Sequence, residues 1–201
     1  MKLAVFGATG GTGRPLVAQA LERGHAVNAF VRALPSDDAL AGADRVVTGD
    51  ARNAAAVESV LRDVEAAVSA LGPRGPDPGT SYADAIGTIT RAMVSGGVRR
   101  LVITANSRVL DDRPLDGEFA AVSQEHRDAL ATLRASDLDW TVVATPMLSD
   151  RDPSGSYECT VGARGRGETI ARGDFATALL DALDREAWVR QIVDVTGPGR
   201  T

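Results

Sequence analysis

The stretch KLAVFGATGGTG, residues 2–13, decides the fold of this chain. An apolar run precedes Gly7, Gly10 and Gly13, and a helical pattern follows them. A glycine turn between a strand and a helix lets the backbone approach a pyrophosphate, whose charge then faces the first amides of the helix. No Gly-Lys-Ser/Thr sequence follows, so this is not a phosphate loop of the mononucleotide type. The stretch predicts a dinucleotide-binding element, with a tight turn that binds nothing as the alternative.

Further apolar runs alternate with helical stretches, which is typical of a parallel sheet with crossover helices. The predicted strands are Lys2–Phe6, Ala26–Val31, Arg45–Thr48, Ala66–Ala70, Arg99–Thr104 and Trp140–Ala144. Right-handed crossovers then give a doubly wound, Rossmann-like α/β sheet, with the ligand crevice at the carboxyl ends of its strands. We expect one NAD(P)-binding domain over residues 1–201. A small substrate-side extension over about residues 146–190 includes a strand at Tyr157–Val161 and a helix at Asp174–Leu183.

The end of the second predicted strand bears on the choice of nucleotide. NAD-binding proteins usually carry Asp or Glu there, whereas this chain has Arg32. A guanidinium pairs with a 2'-phosphate that a carboxylate would repel, so Arg32 favours NADPH over NADH unless it is only a solvated surface residue. Asp50, after the third strand, could bind the adenine amino group or simply form a turn. Leu71 and Gly72, after the fourth, could flank the cofactor or merely end the strand.

Composition narrows the classes of partner. A net charge of −5 and a pI near 5.1 oppose binding to nucleic acid or to an anionic membrane surface. No apolar run approaches the length of a membrane span. The single cysteine, Cys159, supports neither an internal disulfide nor a metal cluster. We expect a cytoplasmic protein, monomer or homodimer, that acts on a small molecule without a metal.

The scarcity of lysine limits the chemistry. Of 22 basic residues only Lys2 is a lysine, and neither Tyr82 nor Tyr157 has a lysine four positions on. The Tyr-x-x-x-Lys pair that serves as acid and base in ordinary short-chain dehydrogenases is therefore missing, which disfavours alcohol oxidation and sugar epimerisation. Hydride transfer to an acceptor that needs little acid from the protein remains possible, because reduced nicotinamide carries that chemistry itself.

Polar residues at the end of the fifth strand are the best-placed donors to an acceptor or to the nicotinamide carboxamide. They are Thr104, Asn106 and Ser107, and capping of the loop is their alternative role. His126, on the next predicted helix, could be catalytic or could serve packing. Four tail arginines could meet acceptor carboxylates or phosphate, or could form a solvated basic face. They are Arg151, Arg164, Arg166 and Arg172.

With these residues in view, the chain resembles the atypical short-chain dehydrogenases/reductases, specifically the NAD(P)H-binding group of biliverdin reductase B, or flavin reductase. The resemblance runs from end to end. It is carried by GATGGTG (7–13), VR (31–32), GD (49–50), TPMLSD (145–150), SGSYECTV (154–161), ARGRG (163–167) and GDFA (173–176). The serine that such reductases carry past the fifth strand aligns with Asn106, next to Ser107. Met147 stands where the biliverdin enzyme has a histidine.

The resemblance implies NADPH as cofactor and hydride delivery to a flat acceptor such as a flavin or a linear tetrapyrrole. The predicted cofactor-binding residues are Gly7, Thr9, Gly10, Thr12, Gly13, Arg32, Asp50, Leu71, Gly72, Thr104, Pro146 and Met147. The predicted catalytic residues are Asn106 and Ser107. Because neither is an unmistakable catalyst, a non-catalytic NADP(H)-binding redox sensor stays open as the alternative function.

Overall fold

A computed structural model describes residues 1–73, 81–111, 115, 117 and 119–198. The strands in these ranges are β1 (Lys2–Phe6), β2 (Ala26–Val31), β3 (Arg45–Thr48), β4 (Ala66–Ser69), β5 (Arg100–Asn106), β6 (Asp139–Thr145), β7 (Leu148–Ser149), β8 (Glu158–Val161), β9 (Ile170–Ala171) and β10 (Gln191–Thr196). The helices are α1 (Gly13–Glu22), α2 (Ala54–Val60), α3 (Ser81–Gly96), α4 (Ala120–Arg134) and α5 (Arg172–Asp184).

The main sheet has the strand order β3-β2-β1-β4-β5-β6-β10-β8. Every neighbouring pair is parallel except β10 and β8, which run antiparallel. The order reverses between β1 and β4, which is where doubly wound sheets open a crevice for a ligand. The predicted Rossmann-like α/β fold is confirmed.

Helices cover both faces of the sheet, which explains why its strands are so uniformly apolar. Leu3 of β1 is buried in one core together with Leu16 of α1 and Phe175 of α5. Phe6, three residues further along β1, points to the other face of the sheet and packs in a second core that includes Ile86 of α3. Burial of each such large side chain stabilises the fold by about 1.5–3 kcal/mol.

No sequence-based expectation covers β10, although it is a central strand of the sheet. Its run QIVDVT is interrupted by Asp194, which is only 1% exposed. The carboxylate accepts hydrogen bonds from the Ser107 hydroxyl and from the Gly165 amide, the latter at 2.7 Å. An acidic residue can occupy a buried strand when its oxygens are satisfied in this way.

The parts of the segment 146–190 lie in three places. Strands β7 and β9 form a separate parallel pair, β8 lies at the edge of the main sheet, and α5 packs against α1. Helix α5 begins two residues before the predicted helix and ends one residue after it. A single domain with a substrate-side extension stays a prediction. None of the helices in the described ranges is long and apolar enough to cross a lipid bilayer.

Candidate nucleotide and acceptor site

A groove follows the carboxyl ends of the parallel strands and consists of two adjoining cavities. The β2-side cavity, of about 400 Å³, lies among the ends of β1 to β4 and the start of α3. The β6-side cavity, of about 440 Å³, lies among the ends of β4 to β6 and residues of α4 and α5. The two cavities share Ala70, Leu71 and Gly72, so that one elongated ligand could occupy both.

The glycine turn requires glycine at two of its positions. Gly7 has φ +75°, and a Cβ there would lie 3.1 Å from the backbone of Ala70. A Cβ on Gly13 would lie 1.9 Å from the carbonyl oxygen of Gly7, which also accepts a hydrogen bond of 2.9 Å from the Gly10 amide. Because the obstacles are backbone atoms, side chains cannot be accommodated. This tight cradle fits the pyrophosphate of a dinucleotide.

In the first turn of α1 the Gly13 amide is left for an anion. The Arg14 and Leu16 amides already donate to backbone carbonyls at 3.0 and 3.1 Å, and Pro15 has no N–H. The N-cap residue of α1, Thr12, makes no side-chain capping bond, and no acidic residue lies in the first turn. The start of a helix also carries a partial positive charge, which favours an anion there. Thr9 and Gly10 line the β2-side cavity and Thr12 the β6-side cavity, so the turn lies where the two cavities meet.

Charged side chains gather at the outer end of the β2-side cavity. Arg32 lines it, is exposed, and has no hydrogen-bond or ion-pair partner within the described part of the chain. Asp50 lines it too, paired with Arg52 at 2.6 Å. Hydrogen bonds from the Arg52 guanidinium and amide lower the pKa of Asp50 to about 2. Both partners of this pair are about half exposed, so it contributes little stability.

Leu71, between the cavities, is held by the neighbouring strand. The Thr104 hydroxyl donates to the Leu71 carbonyl at 2.6 Å. The Tyr82 hydroxyl donates in turn to the Thr104 carbonyl at 2.6 Å, and burial raises the pKa of Tyr82 far above its usual value. Thr104 lines the β6-side cavity, but its hydroxyl proton is already engaged by Leu71.

The two predicted catalytic residues have different surroundings. Asn106 lines the β6-side cavity; its Oδ1 accepts from the Arg108 amide at 3.1 Å, and its Nδ2 donates to the Ser123 hydroxyl at 3.0 Å. Ser107 is 1% exposed, donates its hydroxyl to Asp194, and is not among the residues that line either cavity. The structure therefore brings Asn106 to the groove and Ser107 into the interior. Their catalytic roles stay predictions.

Two buried polar residues line the β6-side cavity with an atom left unpaired. They are His126, 6% exposed, and Thr145, 5% exposed. His126 Nδ1 and Thr145 Oγ1 have no hydrogen-bond partner among the described residues. Since buried polar atoms are nearly always paired, unpaired ones beside a cavity indicate that a ligand or water completes them. Thr145 has no signal in the sequence that would distinguish it from other strand residues.

Helix α4 positions His126 against α3. The preceding residue, Glu125, accepts hydrogen bonds from the amides of Tyr82 and Ala83 at 2.9 and 3.0 Å. The ring of His126 meets that of Tyr82 edge-on at 4.7 Å. Burial lowers the pKa of His126 from 6.5 to about 4. The imidazole is therefore neutral at pH 7 and offers one donor and one acceptor.

The remaining predicted residues are found around the β6-side cavity. Pro146 and Met147 line it, and Met147 is 62% exposed. Of the four tail arginines, Arg172 lines this cavity. Arg151 and Arg166 line a separate one, and Arg164 pairs with Asp111 at 3.1 Å.

A model of the NAD(P)H-binding family matches residues 7–186. Curated relatives from Mycobacterium tuberculosis and Mycobacterium bovis, both named as uncharacterized proteins, are 31% identical to this chain over 106 residues. That match covers 53% of this chain and 12% of each relative, so the chain spans about an eighth of their length.

Solved structures resemble the chain along nearly all of its length. Anaerobillin reductase ChuY of Escherichia coli O157:H7 is 24% identical, with a TM-score of 0.84 over 100% of this chain and 99% of that one. A protein of Streptococcus pneumoniae named as a candidate NADH-flavin reductase is 23% identical, with a TM-score of 0.83 over 98% and 100%. A short-chain dehydrogenase/reductase of Veillonella parvula in complex with NADP is 21% identical, with a TM-score of 0.80 over 98% and 95%. These likenesses establish the fold.

Proposed function

This chain belongs to the NAD(P)H-binding family, and we propose that it is an NADPH-dependent reductase that passes hydride to a flat acceptor such as a flavin or a linear tetrapyrrole. The observation that carries the proposal is the pair of cavities joined at Leu71 and Gly72. A dinucleotide on the glycine turn would reach from one cavity into the other. The β6-side cavity is large enough to hold the nicotinamide together with part of an acceptor.

The preference for NADPH rests on the charges at the outer end of the groove. Arg32 forms no hydrogen bond or ion pair with the described residues, although the charge of Asp50 is near enough to interact with it, so its guanidinium is available to a 2'-phosphate. Asp50, by contrast, is already engaged by Arg52. The Veillonella relative that holds NADP supports the same preference by analogy.

Reduced nicotinamide supplies the hydride when it is bound. The work of the protein is then to exclude water and to orient the two rings. Leu71 and Pro146 offer apolar walls to the β6-side cavity. The amide of Asn106 is fixed by Ser123, and neutral His126 can donate or accept a hydrogen bond. Water can provide the proton that such an acceptor takes up.

Two of the solved relatives support the class of acceptor. ChuY is named for reduction of a bilin-like compound, and the streptococcal protein for flavin reduction. Both match this chain over at least 98% of its length, including the elements that form the β6-side cavity. Because the nicotinamide ring is flat, a planar conjugated acceptor can stack on it. A cytoplasmic location fits an enzyme that depends on reduced nicotinamide.

The test is NADPH oxidation by the purified protein with FMN, FAD, riboflavin and biliverdin as acceptors. We expect turnover with at least one of them. Arg32→Ala should weaken NADPH binding about 10- to 100-fold by removing a charge-assisted contact, while leaving NADH within about twofold. Arg62→Ala, on an exposed arginine outside the groove, is the matched control. Lack of turnover with every acceptor would refute the reductase, and equal losses for both nucleotides would refute the preference.

A redox sensor that binds NADP(H) without turnover is the second candidate. The observation that favours it is that the hydroxyls of Thr104 and Ser107 are already committed to Leu71 and Asp194. Few free donors then face an acceptor. Tight nucleotide binding with no NADPH oxidation, together with a partner protein whose binding follows the NADP redox state, would favour this candidate over the reductase.

A further inference from the structure

Arg172 is the first residue of α5 and follows directly after β9. Two hydrogen bonds fix this end of α5 against α1. Gln19 of α1 donates to the Gly173 carbonyl at 2.9 Å, and its Oε1 accepts from the Thr177 hydroxyl at 2.9 Å. The position of the Arg172 backbone relative to the glycine turn is therefore set by the fold.

The Arg172 side chain extends over the glycine turn. A Cβ on Gly11 would lie 2.9 Å from Arg172 Nε, and Arg172 Nη1 lies 3.5 Å from the Thr12 hydroxyl. The guanidinium thus stands beside the positive end of the α1 dipole, where a cation is unfavourable and an anion is favoured. The described residues place no acidic side chain in the first turn of α1 to offset it.

The carboxylate that Arg172 does meet is Asp150, at 2.6 Å from Nε. Asp150 follows β7 as Arg172 follows β9, and these parallel strands bring the two residues side by side. The Asp150 side chain is 86% exposed, so the pair is solvated and weak, of the kind worth about 0–1 kcal/mol. A bound anion could replace it at little cost.

We propose that Arg172 is a pyrophosphate-binding residue of the dinucleotide site, and that on cofactor binding it exchanges Asp150 for the pyrophosphate. The inference rests on the proposed function only in requiring that the chain binds a nicotinamide dinucleotide. Among the described residues that line the β6-side cavity, Arg172 is the only one of the charged types Arg, Lys, Asp and Glu. His126 and Thr145, two buried residues that line the same cavity, each keep a polar atom without a hydrogen-bond partner among the described residues.

If Arg172 binds the pyrophosphate, substitutions of Arg172 should affect nucleotides that contain a pyrophosphate more than those that lack it. Arg172→Met keeps most of the apolar stem and removes the charge, so it should weaken binding of NADPH and of ADP-ribose about 10- to 100-fold. Binding of adenosine 2'-monophosphate, which lacks the pyrophosphate, should change less than about twofold. Arg172→Lys should restore part of the loss. Asp150→Asn should tighten NADPH binding by up to about fivefold, because it frees the guanidinium.

Calorimetric titration of each purified variant with NADPH, ADP-ribose and adenosine 2'-monophosphate measures these effects. The matched control is Arg151→Met, on an exposed arginine of the same segment that lines a different cavity. NADPH affinity of Arg172→Met within twofold of the unmodified protein would overturn the proposal, and so would an equal loss for adenosine 2'-monophosphate. Either result would leave the reductase intact. Failure of the unmodified protein to bind NADPH would overturn both.

Discussion

The pH dependence of stability should depend strongly on His126. Replacing it by Phe keeps an aromatic ring against Tyr82 and removes the titrating imidazole. In the unfolded chain the pKa of this group is near 6.5, whereas burial lowers it to about 4 in the folded protein. Between these values the unfolded state binds a proton that the folded state does not, so stability is full above pH 6.5 and is lost as the pH falls toward 4.

The magnitude follows from the two pKa values. Each pH unit within that window corresponds to about 1.36 kcal/mol of unfolding free energy. The whole effect is therefore roughly 3 kcal/mol, of which about 2 kcal/mol falls between pH 7.5 and pH 5. His126 is only 6% exposed, so solvent screening reduces this value little.

Urea unfolding at pH 7.5 and pH 5, followed by circular dichroism, gives the required free energies. On going to pH 5, the unmodified protein should lose about 2 kcal/mol more stability than His126→Phe, since the other titrating groups are common to both. His25→Phe is the comparison variant: burial also lowers the pKa of the partly buried His25, so removing it should reduce the loss too, but by less than His126→Phe does. Equal losses in His126→Phe and in the unmodified protein would show that the imidazole titrates normally, and would refute the reasoning.

Two further substitutions test the framework of the site. Gly13→Ala places a Cβ 1.9 Å from the Gly7 carbonyl oxygen and should lower the free energy of unfolding, measured by thermal denaturation, by about 3 kcal/mol or more. In the control Gly96→Ala the added Cβ meets open space, so the free energy of unfolding should change by less than about 1 kcal/mol. Glu125→Ala leaves one buried and one partly buried amide of α3 without an acceptor and should lower the free energy of unfolding by about 2–4 kcal/mol. Glu125→Gln should lose less than half of that, and equal losses would contradict the capping role.

Local signals predicted the part of the fold that lies nearest to the glycine turn. The limits of β1, β2 and β3 coincide with the predicted strands, since each is a short apolar run bounded by turn residues. The position of Arg32 at the mouth of a cavity also follows from such signals, because it comes directly after β2. Turn residues on either side define the limits of such strands even where only part of the run is apolar, as in the RVVT sequence of β3.

Long-range partners decided what local signals could not. Asp194 interrupts the apolar pattern of β10, and its compatibility with a buried strand depends on Ser107, which is 87 residues away in the sequence. The same bond turns Ser107 into the interior, although its place after β5 suggested the groove. Arg172 resembled the other tail arginines, and its place over the glycine turn depends on contacts between α5 and α1.

The packing of α5 on α1 also sets the order in which the molecule can be completed during synthesis. Gln19 and its partner Gly173 are 154 residues apart, so at about 5–20 residues per second the ribosome needs about 8–30 s to supply the second after the first. Until then, the apolar cluster that contains Leu3 of β1 and Leu16 of α1 lacks the contact with Phe175 of α5. The glycine turn is among the first parts of the chain to be synthesised and among the last to be covered. A chain released before α5 is made would expose an apolar surface to which chaperones bind or through which chains aggregate.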